Sequence, residues 1–250
     1  MLEVSGITQI FGGVTALENV SFSVVKGDIT GVIGPNGAGK TTLFNIITGI
    51  YTQTEGKVTL EGRDVSGLPP EKLAPLGMVR TFQNIELFGG MTVLENVMVG
   101  MHTKSSSGLL SCSLKMPWAM KEESRIREGA LRWLEFTGIT DLVDVVAGNL
   151  PFGKGRLLEI ARAMAVEPRI ILMDEPAAGL NSQETLVLAR LIRSIRDLGI
   201  TVVLVEHDME LVMDICDRIV VLNLGRKLAE GTPREIQDNH EVIAAYLGDE

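Results

Sequence analysis

Apolar and polar residues alternate along three stretches near the start of the chain, residues 2–11, 18–28 and 56–65. Alternation with a period of two is typical of β-strands that bury one face, and glycine-containing turns bound these stretches. They predict an N-terminal part that consists mostly of β-strands. Residues 29–50 interrupt this pattern with an apolar strand, a glycine-rich turn and an apolar helix.

Helical spacing of apolar residues appears next, at residues 92–100 and 122–137. The side chains that share one face are Val93, Leu94, Val97 and Met98 in the first stretch, and Ile126, Ala130, Leu131, Leu134 and Phe136 in the second. Residues 103–120 between them are serine-rich and irregular, and we expect a long loop or insertion there. The sequence therefore predicts a mostly helical lobe over about residues 85–150.

Helices and strands alternate from residue 155 onward. The predicted strands are 169–174, 201–206 and 218–223, and helices precede and separate them. This alternation indicates a parallel sheet covered on both faces. We predict one α/β domain over residues 1–250, in which a core of about residues 1–84 and 151–250 is interrupted by the helical lobe.

Composition narrows the class of protein. The 250 residues are 45% hydrophobic and carry a net charge of −9, which argues against a broad nucleic-acid-binding face. No apolar run approaches the roughly 20 residues of a membrane span, and the first residues do not have the pattern of a signal peptide. Two cysteines without metal-ligand spacing fit a reducing cytoplasm. We expect a soluble, intracellular protein.

The glycine-rich turn, "GPNGAGKT", matches the phosphate-binding pattern G-x-x-x-x-G-K-[ST] and lies between a strand and a helix, as that pattern requires. Glycines let successive backbone amides point inward, and the helix N-terminus attracts the same anion. We expect Lys40 to reach the β- and γ-phosphates and the Thr41 hydroxyl to bind Mg²⁺. The predicted nucleotide-binding residues of this loop are Gly34, Asn36, Gly37, Ala38, Gly39, Lys40, Thr41 and Thr42.

Two adjacent acids, Asp174 and Glu175, follow the apolar strand "RIILM". Ligands of open α/β sheets bind beyond the carboxyl ends of the strands, so both acids are well placed to act on a nucleotide. We predict that Asp174 holds Mg²⁺ and that Glu175 orients and deprotonates the water that attacks the γ-phosphate. The simpler alternative is that both acids only end the strand and cap the next helix.

Four segments in fixed order carry a family resemblance: "GPNGAGKTT", "LPFGKGRLLEIARAM", "IILMDEPAAGLN" and "VEHD". With them the chain resembles the ATP-binding subunits of ABC transporters over essentially its whole length. The stretches "RTFQNIELF", "MTVLENVMVG", "EHDMELVMDICDRIVVLN" and "VIAAYLG" are similar to the LivG-type subunits of branched-chain amino-acid importers. The resemblance implies a RecA-like P-loop core with an antiparallel β part and an inserted helical subdomain.

The resemblance also implies roles for single residues. Gln83 would be the Q-loop glutamine, which contacts Mg²⁺ and water, although an exposed loop amide is the alternative. His207 would be the switch histidine that bonds the γ-phosphate, although it could be structural. Phe11 would stack on adenine, or else anchor the core. The D-loop, which reaches across a dimer, would be Ala178, Gly179, Leu180 and Asn181, with Asn181 where the family usually has Asp.

The family signature Leu-Ser-Gly-Gly-Gln corresponds to Leu150, Pro151, Phe152, Gly153 and Lys154, of which Leu150 and Gly153 match. The resemblance implies that this helix N-terminus faces the γ-phosphate bound by the partner subunit. Backbone amides of Gly153, Lys154 and Gly155 would then replace the missing serine hydroxyl. The Lys154 side chain either adds a charge near the phosphates or points to solvent.

The function implied is ATP hydrolysis by a dimer around two Mg-ATP, which drives uptake of branched-chain amino acids through separate permease subunits. The partner ATPase could be identical or related, and an extracytoplasmic binding protein would act indirectly. Such a subunit lies in the cytoplasm, on the inner face of the membrane. Alternatives are a urea or amide importer, a lipopolysaccharide exporter, or an ATP-gated clamp that acts by binding.

Overall fold

A computed structural model describes residues 1–101 and 117–247. The strands are β1 (Leu2–Phe11), β2 (Val14–Val24), β3 (Ile29–Ile33), β4 (Glu55–Leu60), β5 (Arg63–Asp64), β6 (Met78–Thr81), β7 (Ile170–Asp174), β8 (Thr201–Val205), β9 (Arg218–Asn223) and β10 (Arg226–Gly231). The helices are α1 (Lys40–Ile47), α2 (Pro70–Leu73), α3 (Val93–Met101), α4 (Pro117–Thr137), α5 (Phe152–Ala165), α6 (Ser182–Asp197), α7 (Met209–Ile215), α8 (Pro233–Gln237) and α9 (His240–Leu247). Short 3₁₀ turns occur at Ala74–Leu76, Thr140–Leu142 and Ala147–Asn149.

The chain forms two compact units, one of Met1–Gln83 with Arg169–Glu250 and one of Asn84–Pro168. The first unit contains a four-stranded antiparallel sheet in the order β2-β1-β4-β5. It also contains a six-stranded sheet in the order β10-β9-β3-β8-β7-β6, in which β10 alone runs antiparallel to its neighbour. The strands expected from the alternating pattern are therefore present in the structure.

The six-stranded sheet is covered on both faces, because every residue of β3, β7 and β8 is buried. One cluster of buried side chains joins both sheets and α1, and includes Val4, Phe44, Leu172 and Val203. The central strands β3, β7 and β8 are parallel and end at the same edge of the sheet. The loops that follow them therefore converge at that edge, where α/β sheets bind ligands.

The second unit consists mainly of α3, α4 and α5, which pack against one another. Gly100 of α3 lies against α5, where a Cβ atom would be 2.5 Å from the Arg162 carbonyl oxygen. Because α5 packs on α3 and α4, it belongs to this unit. The prediction that the core resumes at about residue 151 therefore needs correction. The helical unit thus extends to Pro168.

One further expectation about this unit needs correction. Residues 117–120, expected in the long loop, form the first turn of α4, while 103–116 lie outside the described residues. Arg156 and Glu159 of α5 are 0% and 2% exposed and form an ion pair at 2.7 Å. Their burial follows from the packing of α5 between two helices, since each charge neutralises the other. The apolar side chains Leu157, Leu158, Ile160 and Met164 of α5 are buried as well.

None of the helices within residues 1–101 and 117–247 combines the length and the hydrophobicity of a membrane span.

Candidate functional site

The loop between β3 and α1 depends on three glycines with positive φ angles: 153° at Gly34, 78° at Gly37 and 99° at Gly39. A Cβ atom at Gly34 would be 2.1 Å from the Leu222 carbonyl oxygen, and one at Gly39 would be 2.6 Å from Leu17 Cδ2. Any larger residue at these two positions would therefore displace the loop from β9 or from β2. The glycine-rich turn has the tight backbone that the phosphate-binding pattern requires.

Lys40 is buried at the start of α1, and its ammonium group is held inside the loop. Its Nζ donates to the carbonyl oxygens of Gly34 at 2.7 Å and Pro35 at 3.0 Å. Burial lowers the pKa of Lys40, while the negative charge of Glu175 partly opposes this shift. The N-cap Gly39 adopts a left-handed conformation and has no side chain that could cap the helix, so the first backbone amides of α1 receive no hydrogen bond from an N-cap side chain.

The other predicted residues of the loop differ in exposure. Asn36 and Thr41 are exposed, Thr42 is partly exposed, and Ala38 is buried. The Thr41 hydroxyl is therefore accessible at the second position of α1, where a metal bound with nucleotide would need it.

The acid pair stands at the end of β7, as predicted. Asp174 is buried and pairs with Arg80 of β6, whose Nη2 lies 2.5 Å from Asp174 Oδ2. Glu175 has a positive φ of 43°, and its amide donates to the Val205 carbonyl oxygen at 2.9 Å. This backbone turn directs the two neighbouring carboxylates into different surroundings.

Gln83 and His207 both lie near the Glu175 carboxylate. Gln83 Nε2 donates to Glu175 Oε2 at 2.7 Å, and His207 Nδ1 lies 3.7 Å from the same oxygen. The His207 side chain is 64% exposed, so it is not a buried structural histidine. Gln83 and His207, which the sequence predicts in the same site as Glu175, are thus each within contact distance of the Glu175 carboxylate.

Glu206, which precedes His207, supports the backbone of this site and is not among the residues that the sequence predicts. It is completely buried and accepts hydrogen bonds from the amides of Ala177 at 2.7 Å, His207 at 3.1 Å and Asp208 at 3.4 Å. Burial raises the pKa of Glu206, against the effect of these three amide donors. The carboxylate fixes the backbone after β8 to the segment after Glu175. The sequence feature that could have identified Glu206 is its place between the apolar strand β8 and His207.

Phe11 is 42% exposed at the end of β1, so it does not anchor the core. Its ring packs edge to face against Tyr51, with centroids 5.4 Å apart. Ile10 beside it donates its amide to Thr54 Oγ1 at 3.1 Å, which holds the end of the strand. The exposed ring remains suited to stack on an aromatic base.

The predicted D-loop leads into α6. Asn181 is the N-cap of this helix, and its Oδ1 accepts from the amides of Gln183 and Glu184, each at 3.0 Å. Glu184 Oε2 in return accepts from the Asn181 amide at 3.0 Å, which completes a capping box. Ala178 and Leu180 are partly exposed, and Gly179 is exposed with a φ of 79°. Asn181 therefore caps α6, and the carboxylate of an Asp at this position could accept the same two hydrogen bonds.

The signature segment lies in the helical unit and begins α5 at Phe152, with Pro151 as an N-cap that makes no side-chain capping bond. Phe152 and Pro151 are exposed, Leu150 and Lys154 are partly exposed, and Gly153 is buried. The Gly155 amide donates to the Pro151 carbonyl oxygen at 2.9 Å, so it is already used within the helix. The expectation that this amide is available for a phosphate was wrong, whereas Phe152, Gly153 and Lys154 occupy the first three helical positions.

Comparisons with known proteins agree with this geometry. The profile of the family described as "ABC transporter" matches residues 17–178, and that of the family described as "Branched-chain amino acid ATP-binding cassette transporter" matches residues 226–250. The chain is 48% identical over 250 residues to the high-affinity branched-chain amino acid transport ATP-binding protein BraF of Pseudomonas aeruginosa, covering 100% of this chain and 98% of BraF. It is 46% identical to LivG of Escherichia coli, with the same coverage.

Solved structures give the same result. The crystal structure of an ATP-binding cassette of an ABC transporter in its ADP conformation aligns with a TM-score of 0.86 and 36% identity. That alignment covers 100% of this chain and 99% of the other. A nucleotide-free ATP-binding cassette from an ABC transporter aligns with a TM-score of 0.86 and 37% identity, with the same coverage. The chain therefore belongs to the ABC transporter family, as one of its ATP-binding subunits.

Proposed function

We propose that this chain is the ATP-hydrolysing subunit of an importer for branched-chain amino acids. The observation that carries the proposal is the arrangement of Lys40, Glu175, Gln83 and His207 around one edge of the six-stranded sheet. Glu175 is the general base, because its carboxylate is held by the Gln83 amide and lies within reach of a histidine. Lys40 neutralises charge on the phosphates, and Phe11 stacks on the adenine.

The chain also offers residues that fit a magnesium ion. Mg²⁺ prefers oxygen ligands from carboxylates, hydroxyls and phosphates. Asp174 supplies a carboxylate, Thr41 an accessible hydroxyl, and Gln83 an amide oxygen opposite the nitrogen that binds Glu175. Bound with the nucleotide, the metal neutralises charge that develops on the phosphates. We assign these three residues to the metal and Glu175 to the water.

Two copies of such a subunit are proposed to close around two nucleotides, with the signature segment of each facing the nucleotide of the other. The amides at the first positions of α5 suit an anion, since the helix dipole adds to them. The D-loop residues 178–181 would lie at the same dimer interface. The proposed partners outside this dimer are permease subunits, and through them a substrate-binding protein on the other side of the membrane.

The signature assignment predicts that Lys154→Ala lowers steady-state ATP hydrolysis by about 10-fold or more, because a charge-assisted hydrogen bond to a phosphate contributes roughly 1.5–3 kcal/mol. ATP binding to the monomer should stay unchanged, since the contact is made across the dimer. Phosphate release and nucleotide titration measure the two effects separately. The control is Lys121→Ala, which removes an exposed lysine of α4 in the same unit. An unchanged hydrolysis rate in Lys154→Ala would place this side chain in solvent.

Branched-chain amino acids are proposed as the transported substrate because relatives of that stated function cover the whole chain at 46–48% identity. The match of residues 226–250 to a branched-chain amino-acid family supports the same substrate.

Reconstitution tests the substrate directly. The subunit is purified with its permease and binding protein, placed in liposomes with internal ATP, and supplied with radiolabelled leucine, isoleucine, valine or urea. We expect ATP-dependent uptake of the three amino acids and none of urea. Uptake of urea alone, or uptake that does not require ATP, would refute the proposed importer.

A further inference from the structure

Arg80 is a buried cation in β6, a position that the family motifs do not explain. Its side chain is 8% exposed, and its backbone pairs with Leu172 in the parallel register of β6 and β7. A guanidinium in such a place is stable only when it is paired and hydrogen-bonded. The pairing is with Asp174, whose carboxylate is equally buried at 8% exposure and lies 2.5 Å from Nη2.

The guanidinium is also fixed from α1, the helix that begins with Lys40. Arg80 Nη1 donates to Asn45 Oδ1 at 2.7 Å and to Thr48 Oγ1 at 2.9 Å. Two aromatic rings flank it, with the Arg80 Cζ atom 5.9 Å from the centroid of Phe44 and 5.1 Å from that of Phe82. Because a planar guanidinium with partners along its edge and rings nearby has little freedom to rotate, the position of Asp174 is set by α1 through Arg80.

One short segment therefore holds both acids. Arg80 binds Asp174, and Gln83, three residues later, binds Glu175. The acid proposed for the metal and the acid proposed for the water are each oriented by a different residue of the segment 80–83. A change in the position of this segment would act on both acids together.

We propose that Arg80 is a positioning residue that orients the Asp174 carboxylate for the magnesium ion bound with nucleotide. This inference rests on the proposed function, in which Asp174 is a metal ligand. Groups that hydrogen-bond to ligating carboxylates fix their orientation, and removing such a group typically lowers metal affinity by about 10- to 100-fold. Arg80 itself touches neither the metal nor the nucleotide in this role.

The test is the affinity of Mg²⁺ for the ADP-bound protein, measured by titrating Mg²⁺ into the full chain saturated with fluorescent ADP. In Arg80→Gln we expect Mg²⁺ affinity to fall by about 10- to 100-fold, while ADP affinity in EDTA stays within about twofold of wild type. Arg80→Lys should show an intermediate loss, because an ammonium keeps the charge but lacks the planar fork. An unchanged or tighter Mg²⁺ affinity in Arg80→Gln would overturn the proposal.

Controls separate this inference from loss of fold and from the proposed function. Arg169→Gln removes a different arginine–carboxylate pair, that of Arg169 with Glu61, which is also at 2.5 Å but exposed, and should leave Mg²⁺ affinity unchanged. Retained ADP binding in EDTA shows that the variants are folded, and Arg80→Lys keeps the test open where Arg80→Gln is unstable.

Asp174→Asn distinguishes the proposed metal site from the proposed role of Arg80. If this change leaves Mg²⁺ affinity intact, the assignment of Asp174 to the metal fails, and Arg80 loses its proposed role with it. If Asp174→Asn lowers the affinity while Arg80→Gln does not, the inference on Arg80 fails alone. In the double variant, the change at Arg80 should add little to the loss caused by Asp174→Asn, since Arg80 acts through that carboxylate.

Discussion

Glu175→Gln is expected to lower ATP hydrolysis by about 10²- to 10⁴-fold, the usual contribution of a general base. The substitution keeps the size of the side chain and an oxygen that can accept the Gln83 hydrogen bond, so the site should stay assembled. What is lost is the ability to take a proton from the attacking water. ATP should bind normally and the ATP-bound dimer should accumulate.

Three measurements check this result: phosphate release, equilibrium binding of a fluorescent ATP analogue, and sedimentation with ATP. The matched control is Glu18→Gln, which removes an exposed carboxylate that pairs with Arg226 at 2.6 Å, away from the acid pair. Near-normal turnover in Glu175→Gln would show that another group activates the water. His207, whose Nδ1 lies 3.7 Å from Glu175 Oε2, would then be the next candidate.

Lys40→Ala is expected to weaken nucleotide binding by roughly 30-fold or more, because removing one partner of a desolvated charge contact costs about 2–5 kcal/mol. In the structure the Lys40 ammonium group donates to two carbonyl oxygens of the loop between β3 and α1, so it points into that loop. Hydrolysis should fall further than binding, since the charge on the phosphates grows during transfer.

Isothermal titration with ATP and ADP measures this loss. Lys40→Met retains the apolar stem of the buried side chain, so a loss shared by Lys40→Met and Lys40→Ala belongs to the charge and not to packing. Lys227→Ala, which removes a lysine paired with Glu230 at 2.8 Å, serves as the control. Unchanged ATP affinity in both Lys40 variants would contradict the assignment of this loop to phosphate binding.

The loop between β3 and α1 could be predicted from the sequence because two signals coincide there. The motif fixes the residues, and the apolar strand before it and the apolar helix after it fix the backbone on either side. The three glycines and Lys40 lie where these signals place them. The position of the acid pair could be predicted because the apolar residues before it indicate a buried strand, and β7 is buried throughout.

Arg80 could not be predicted because its partner is 94 residues away in the sequence, and nothing local to β6 identifies Asp174. The burial of Arg156 and Glu159 could not be predicted for a different reason. A helical pattern with charged positions suggests one face in solvent, but α5 is packed on two sides by other helices. Two charges three residues apart can then neutralise each other inside the unit, and the pattern alone does not show this.

The backbone of Glu175 is left-handed, with a φ of 43°, so the residue that would make the fold most stable at this position is not the one proposed for activity. A residue with a Cβ atom pays about 1–2 kcal/mol in this conformation, and glycine avoids that cost. In a laboratory evolution that selected for heat resistance alone, glycine at position 175 would be favoured, and the proposed general base would disappear. Thermostable variants of this subunit should therefore be screened for turnover from the first round onward.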